Sequence, residues 1–207
     1  MQTAFKEWFI VVDALMRGEQ ILILRKGGIS EGRGGFQVSQ RSFFLFPTGF
    51  HQQREAVIDG AQMRYDLIAS ELPSPDRLRL ASFAEVADVR KLSCIADAKA
   101  LRGQHIWRDK VIEERFEWGK EQAIFALALR VYRLPLAIEL PMLSTYGGCK
   151  SWIELGQEID VNQATPVLSD AEFDGKLAAF RGAVDEARSL ELPCTSEAAS
   201  QAGCCRE

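Results

Sequence analysis

Two adjacent cations and two adjacent glycines follow an apolar stretch near the N-terminus, in the order Arg25, Lys26, Gly27 and Gly28. Successive glycine amides form an anion-binding nest, and an arginine fork binds phosphate or stacks on a base. The segment therefore indicates a site for a phosphate or a flat ring. The alternative is a strand end whose charges are solvated and whose glycines only make a turn. A P-loop is excluded, because no Gly-Lys-Ser or Gly-Lys-Thr triplet follows.

Polar side chains also follow a second apolar stretch, in FPTGFHQQ at residues 46–53. Thr48, His51 and Gln52 are candidate ligand-binding residues, because polar groups at a strand end often form sites on a rigid scaffold. His51 has the chemistry of a general base or of a hydrogen-bond partner for a nucleobase. A structural histidine is the alternative, since no partner acid or nucleophile stands at a telling position.

A third candidate segment is YGGCKSWIEL, residues 146–155. Tyr146 and Lys150 place an aromatic ring and a cation around a glycine turn, and this combination suits a flat ligand. A tight turn with Trp152 in the core explains the same residues. The site hypothesis is that this segment, the Arg25 strand end and the segment 48–52 surround one concavity. Lys26 should then matter less, because it points to the opposite face of a regular strand.

Hydrophobic periodicity predicts the elements that position these residues. Residues 4–16 favour an amphipathic helix ended by Gly18, with a β-hairpin as the alternative. Strands are predicted for ILILRK, for SFFLFPTGFHQ up to Pro47, for residues 77–92 with a bulge, for residues 123–140 broken at Pro135, and for SWIEL. Helices are predicted over residues 55–72, over 95–117 with a break at Gly103, and over 170–189.

Strands separated by irregular helical segments indicate an α+β fold. We expect a small mixed or antiparallel sheet, or a partial β-barrel, with helical insertions and a C-terminal helix. A doubly wound sheet fits less well. The expected organisation is a single domain over residues 1–192, with a core at about 4–155 and a helical appendage at about 168–190. Residues 193–207, rich in Ser, Ala and Cys, are expected to be a disordered tail.

Composition limits the function classes. The net charge is −4, but residues after position 150 carry −7 and residues 1–150 carry +3, which allows a nucleic-acid partner without requiring one. No stretch reaches the roughly 18 apolar residues of a membrane-spanning helix, so we expect a cytoplasmic protein without a membrane partner. The number of cysteines, five, is odd, which argues against a framework of disulfide bonds. The chain has only two histidines and no Cys-x-x-Cys motif, which argues against a metal site.

Four motifs together carry a family resemblance: KEWFIVVDALMRGEQILILRKGGI, FFLFPTGFHQ, RVYRLP and YGGCKSWIEL. They resemble the uncharacterised prokaryotic family known as domain of unknown function 1802, over residues 4 to about 155. More distantly, Trp8, Gly18 and Arg25 resemble the outline of PUA-like barrels, including ASCH and EVE domains. Gln20 and Ile23 depart from the ASCH pattern, which prefers lysine and glutamate there. The PUA-like resemblance implies an RNA-, DNA- or modified-base-binding pocket, with Arg25 and the glycines at its mouth.

The function predicted from these observations is binding of a nucleic acid or a modified nucleotide, without a cofactor. One alternative is an enzyme acting on nucleic acid or nucleotides, with His51 and Arg25 in its site. Another is a protein-interaction or structural module. A Nudix hydrolase is excluded, because the glutamate-rich magnesium-binding helix of that family is missing after FPTGFHQQREAVIDGA.

Overall fold

The structure is a computed structural model that describes residues 1–26, 40–49, 54–119, 121–148 and 150–190. Within these ranges the chain forms one sheet and several helices. The strands are β1 (Thr3–Trp8), β2 (Leu22–Arg25), β3 (Ser42–Thr48), β4 (Arg77–Leu92), β5 (Ile124–Pro141), β6 (Trp152–Glu154) and β7 (Thr165–Pro166). The α-helices are α1 (Phe9–Met16), α2 (Asp59–Ser70), α3 (Ile95–Ala100), α4 (Asp109–Glu117) and α5 (Asp170–Leu190), and short 3-10 helices cover Arg54–Ala56 and Ser144–Tyr146.

The sheet is mixed, which is one of the two kinds expected from the sequence. Its strand order is β2-β5-β4-β3-β1-β6, and β7 pairs with β5 outside this path. β1 and β3 are parallel, whereas the other pairs among the described strands are antiparallel. Helices lie between and after the strands without a regular strand-helix alternation, so the predicted α+β class is confirmed.

The two ends of this strand order approach each other, so the sheet curls into a partial barrel. Arg25, the last residue of β2, donates a hydrogen bond of 2.6 Å from Nη2 to Oγ of Ser151, which directly precedes β6. The same guanidinium lies 4.7 Å from the centre of the Phe5 ring on β1. One arginine therefore joins strands from opposite ends of the sheet.

Hydrophobic residues cover both faces of the curled sheet. Phe5 and Phe43 belong to the larger cluster, which also contains apolar residues of α1, α3, α4 and α5. Their chain neighbours Ala4 and Phe44 belong to a second cluster on the other face. Consecutive strand residues point to opposite faces, so β1 and β3 are buried on both sides.

The structure corrects the helix predicted over residues 4–16. Its first half is strand β1, and α1 begins only at Phe9. β1 lies between β3 and β6, and residues on both of its faces are buried, including the polar Thr3 and Glu7. Burial on both faces removes the alternation of apolar and polar residues that identifies a half-buried strand, so the sequence of β1 resembles that of a helix.

Two predicted strand breaks at prolines are also wrong. β3 continues through Pro47 to Thr48, because its pairing with β4 covers only residues 42–44 and Pro47 needs no amide hydrogen on that side. β5 continues through Pro135, which lies in a bulge: Arg133 pairs with Ser82, whereas Ile138 already pairs with Leu80. The extra residues on β5 accommodate the proline without ending the strand.

Most of the remaining element predictions agree with the structure. The helix predicted over residues 55–72 is interrupted, because Val57 bridges to Trp107 and α2 begins only at Asp59. β7 and the 3-10 helix Ser144–Tyr146 were not indicated by the sequence. The long strand β4 has register shifts between Leu80 and Ser82 and between Val86 and Asp88, as expected of a bulged strand. α1 ends at Met16 and is capped by Arg17 and Gly18; Gly18 has a φ of 68° and donates from its amide to the Leu15 carbonyl. The amide of Glu19 donates to Ala14, which completes a Schellman motif. The tail 193–207 lies outside the described residues.

Candidate functional site

A pocket of about 750 Å³ opens where β1, β2 and β3 end, and we call it the strand-end pocket. Parallel pairing of β1 with β3 aligns Trp8 with Thr48, so both carboxyl ends lie at the same edge of the sheet. The Ser151 bond brings the end of β2 to this edge. The pocket is lined by Lys6, Glu7, Trp8, Arg25, Phe46, Thr48, Met142, Leu143, Ser144, Tyr146, Gly147, Gly148, Lys150 and Ser151.

Four of the residues proposed from the sequence line the strand-end pocket: Arg25, Thr48, Tyr146 and Lys150. They come from three segments that are distant in sequence. Lys26 lines a different, neighbouring pocket instead. Gly27, Gly28, His51 and Gln52, as well as Cys149, lie outside the described residues.

The Arg25 guanidinium is held by several groups at the pocket wall. Besides its bond to Ser151, its Nη1 lies 3.5 Å from Oε2 of Glu7. The Phe5 ring packs against the guanidinium at 4.7 Å. The Arg25 side chain nevertheless keeps 21% of its surface exposed. Arg25 is thus fixed in orientation and still accessible from the pocket.

Glu7 contributes a buried carboxylate that sequence reasoning missed. Its side chain is 0% exposed, and its Oε1 accepts a 2.8 Å hydrogen bond from the amide of Trp8. Among the described residues, its Oε2 has the ion pair with Arg25 but no hydrogen bond. A carboxylate without a nearby cation would be costly in this position, so Glu7 and Arg25 compensate each other.

Cations predominate in the strand-end pocket, where Lys6, Arg25 and Lys150 face one acid, Glu7. Lys6 donates from Nζ to the Gly148 carbonyl at 3.1 Å and lies 5.8 Å from the centre of the Phe46 ring. Lys150 is exposed. The pocket therefore has positive charge at its rim and one buried negative group behind it.

Aromatic and aliphatic side chains form the walls of the strand-end pocket. Tyr146 is 4% exposed, and its hydroxyl donates to the Leu155 carbonyl at 3.0 Å. Its ring meets the Phe46 ring edge-on, with centroids 6.2 Å apart. Met142 and Leu143 expose 37% and 46% of their surface. Tyr146 is thus part of a rigid wall rather than a projecting ring.

Trp8 separates the strand-end pocket from a second one of about 340 Å³, which we call the Trp118 pocket. Arg115 lies against Trp8 at 5.1 Å and against Trp107 at 4.8 Å, measured from the guanidinium carbon to each ring centre. Burial lowers the pKa of Arg115 to about 10, which leaves it charged near neutral pH. The Trp118 pocket is lined by Trp8, Lys26, Ala56, Val111, Glu114, Arg115 and Trp118.

The sequence signal for the missed residues is the pair Lys6-Glu7 ahead of Trp8. In a helix these residues would lie off the apolar face. Near the end of strand β1, Lys6 and Glu7 lie beside Arg25, the residue that ends β2, and Glu7 forms an ion pair with it. The error in assigning β1 therefore hid Lys6, Glu7 and Trp8 as pocket residues.

The second histidine of the chain, His105, is buried in the protein core and lines neither pocket. It is 6% exposed and packs against Trp107, with ring centroids 5.5 Å apart. Burial, assisted by the charge of Arg115, lowers the pKa of His105 to about 4. His105 is thus a neutral core residue at neutral pH.

Across the residues that the structure describes, no group of three or more His, Cys, Asp or Glu side chains is arranged to hold a metal ion. In the same part of the chain, no helix combines the length and apolar character needed to cross a membrane.

Comparison with known proteins gives one family and one group of solved structures. The model of a family described as Domain of unknown function (DUF1802) matches residues 4–179, which extends beyond the residue 155 expected from the motifs. No protein with a curated description matches the chain. Among solved structures, the chain is similar to an ASCH protein from Zymomonas mobilis at 11% identity, covering 86% of this chain and 93% of that one, with a TM-score of 0.42. A single-substitution mutant of the same protein gives 14% identity, 86% and 94% coverage, and a TM-score of 0.40.

Proposed function

Because this chain belongs to the DUF1802 family, whose description names no activity, we propose a function from the chemistry of the strand-end pocket: it binds a nucleotide or a nucleotide unit of a nucleic acid. The observation that carries this proposal is the convergence of Lys6, Arg25 and Lys150 around one apolar-walled concavity. These cations come from three separate segments. Packing alone does not require such convergence, because each of them would be solvated as well on an open surface.

The charge of the pocket suits a phosphate group. Arg25 presents a planar fork whose orientation is already fixed by Ser151 and Phe5, so little conformational entropy is lost when a ligand binds. Lys150 is exposed at the rim, where it can approach a phosphate without being desolvated. The acid Glu7 is buried and paired with Arg25, which limits its repulsion of an anion at the mouth.

The walls suit a flat ring. Phe46, Trp8, Met142 and Leu143 provide apolar surface, and aromatic surface binds bases without requiring a particular sequence. A volume of about 750 Å³ falls within the range of small-molecule sites, about 300–1,000 Å³. A base between these walls and a phosphate near Arg25 and Lys150 would use both properties of the pocket.

Isothermal titration calorimetry with AMP, GMP, CMP and UMP tests the proposal, with ribose 5-phosphate as the ligand that lacks a base. We expect at least one nucleotide to bind more tightly than ribose 5-phosphate. Lys150→Ala should weaken that binding about tenfold, as expected from the loss of one charged contact. Arg25→Ala should weaken it more, although it also unpairs the buried Glu7, so its folding must be checked by circular dichroism.

Arg181→Ala is the matched control. This arginine on α5 is exposed, pairs with Asp88 and lines neither pocket, but its replacement changes the net charge by the same amount. Its nucleotide affinity should equal that of the wild type. If Lys150→Ala and Arg181→Ala weakened nucleotide binding equally, the effect would come from the net charge of the protein and not from a contact in the pocket. Absence of binding by all four nucleotides and by oligonucleotides would overturn the proposal.

The enzymatic alternative rests on His51 together with Arg25; His51 lies outside the described residues, so this alternative stays a prediction. The protein-interaction alternative requires a flat surface beside Arg25. The surface there is concave, which favours a small ligand or a nucleotide unit over a protein partner.

A further inference from the structure

The Trp118 pocket adjoins the strand-end pocket and has a similar chemistry. Trp8 lines both pockets. Arg25 and Lys26 are consecutive, and each lines a different one of the two. A strand directs consecutive side chains to opposite sides, so the end of β2 supplies one cation to each pocket. The two pockets are therefore neighbours across a shared wall.

An exposed indole forms the outer side of the Trp118 pocket. Trp118 directly follows α4 and leaves 53% of its surface exposed, which is unusual for so large an apolar ring. The cations Lys26 and Arg115 line the same pocket. The acid in its lining, Glu114, lies 3.8 Å from Lys110. The pocket thus offers a stacking surface together with positive charge.

The groups around this indole are held in place. Lys26 donates from Nζ to the carbonyls of Phe116, at 2.8 Å, and Glu121, which fixes the end of β2 to the segment that follows α4. An ammonium group has three N–H donors, and these two bonds within the described residues use two of them. Arg115 donates to the Leu24 carbonyl at 2.9 Å and is clamped between Trp8 and Trp107. A ligand would therefore meet a preorganised surface.

We propose that the Trp118 pocket is a second nucleotide subsite, which takes the base adjacent to the one in the strand-end pocket, so that the protein binds single-stranded nucleic acid across Trp8. This inference rests on the proposed function of the strand-end pocket. Successive bases of a single strand each bring a ring to stack and a phosphate to neutralise. The two pockets offer these two kinds of contact twice, in adjacent positions. A duplex would not fit this arrangement, because its bases are already stacked and paired.

The test compares mononucleotides with 5′-phosphorylated dinucleotides of the same base, in ribo and deoxyribo form, by isothermal titration calorimetry. In the wild type, the dinucleotide should bind about tenfold more tightly than its mononucleotide, as expected of one additional stacked base. Trp118→Ala should abolish this gain and leave the affinity for the mononucleotide within about twofold. Trp118→Phe should keep most of the gain, since it retains a stacking ring.

Met63→Ala is the control for loss of an exposed apolar side chain, because Met63 is 82% exposed on α2 and lines neither pocket. It should leave both affinities unchanged. The second subsite alone would be overturned if the wild type bound the mononucleotide and the dinucleotide with equal affinity. It would also be overturned if Trp118→Ala still bound the dinucleotide more tightly than the mononucleotide. Failure of every ligand to bind would instead overturn the proposed function. The ribo and deoxyribo arms show whether RNA or DNA is the source of the strand.

Discussion

The guanidinium of Arg25 and the hydroxyl of Ser151, separated by 126 positions in the chain, meet at 2.6 Å. This bond joins the end of β2 to the segment before β6, and it holds Arg25 at the wall of the strand-end pocket. Closure of the partial barrel and orientation of the candidate ligand-binding arginine thus depend on the same contact.

Glu7 should be important for stability, because its buried carboxylate compensates Arg25 and also stabilises the charge of Arg115. We expect Glu7→Gln to lower the free energy of unfolding by about 2–4 kcal/mol, since it leaves the partly buried guanidinium groups of Arg25 and Arg115 without the counter-charge of Glu7. Urea unfolding measures this change. Glu139→Gln removes the acid of an exposed pair with Arg77 and should change stability by less than about 1 kcal/mol. Similar losses in the two variants would contradict the special role of Glu7.

Arg115→Lys should also destabilise the protein, although it keeps the charge. Lysine lacks the planar group that lies against Trp8 and Trp107, and its ammonium is more strongly hydrated. We expect a loss of about 1–3 kcal/mol, from stacking and from the bond to the Leu24 carbonyl. Thermal unfolding followed by circular dichroism measures it. Arg17→Lys, at an exposed arginine, is the control, and an equal shift in both variants would speak against the stacked arrangement.

Stability should fall in mildly acidic solution because of His105. Its pKa is about 4 in the folded protein, against 6.5 for a solvated histidine, so the folded state disfavours the protonated ring. The stability that the neutral His105 ring contributes to the folded state is fully present above pH 6.5. As the pH falls to about 4, this stability is lost progressively, by up to about 3 kcal/mol. Unfolding free energies across this range should decline less steeply for His105→Gln than for the wild type. Parallel pH profiles of the two proteins would refute this assignment.

Gly18 should not tolerate a side chain. Its φ is 68°, and a Cβ atom there would lie 2.5 Å from Cδ2 of Leu168. We expect Gly18→Ala to lower stability by about 1–3 kcal/mol through backbone strain and this close contact. Gly182→Ala is the opposite case, because Gly182 lies in α5 and a Cβ there has no neighbour within 4 Å among the described residues. It should stabilise the helix by about 0.5–1 kcal/mol, so a loss in both variants would contradict the argument.

The parts of this fold that local chemistry determines could be predicted from the sequence. β2 combines an unbroken apolar run with a charged end, and Gly18 supplies the left-handed conformation that ends α1. The interruption between α3 and α4 follows from Gly103, which has a φ of 84°. In each case the residue type itself restricts the backbone, so the context adds little.

The parts that long-range pairing determines could not be predicted. β1 is a strand because β3 and β6 pair with it on both sides, and nothing within residues 3–8 reveals those partners. Glu7 therefore looked like a solvated helix residue, although it is buried. Pro47 and Pro135 looked like strand breakers, because the sequence does not show where a neighbouring strand is absent or bulged.

The position of β1 also has a consequence for folding. Thr3 pairs with Glu154, and Ala4 pairs with both Phe44 and Ile153, so one of the earliest strands in the chain obtains its second neighbour from residues far along it. Such distant pairing requires closure of a long loop before it yields stabilisation, which slows folding. During synthesis, β1 must remain without β6 until residues 152–154 have emerged from the ribosome. We expect the edge of β1 that later pairs with β6 to expose unpaired backbone N–H and C=O groups in that interval, to which chaperones or other nascent chains can bind.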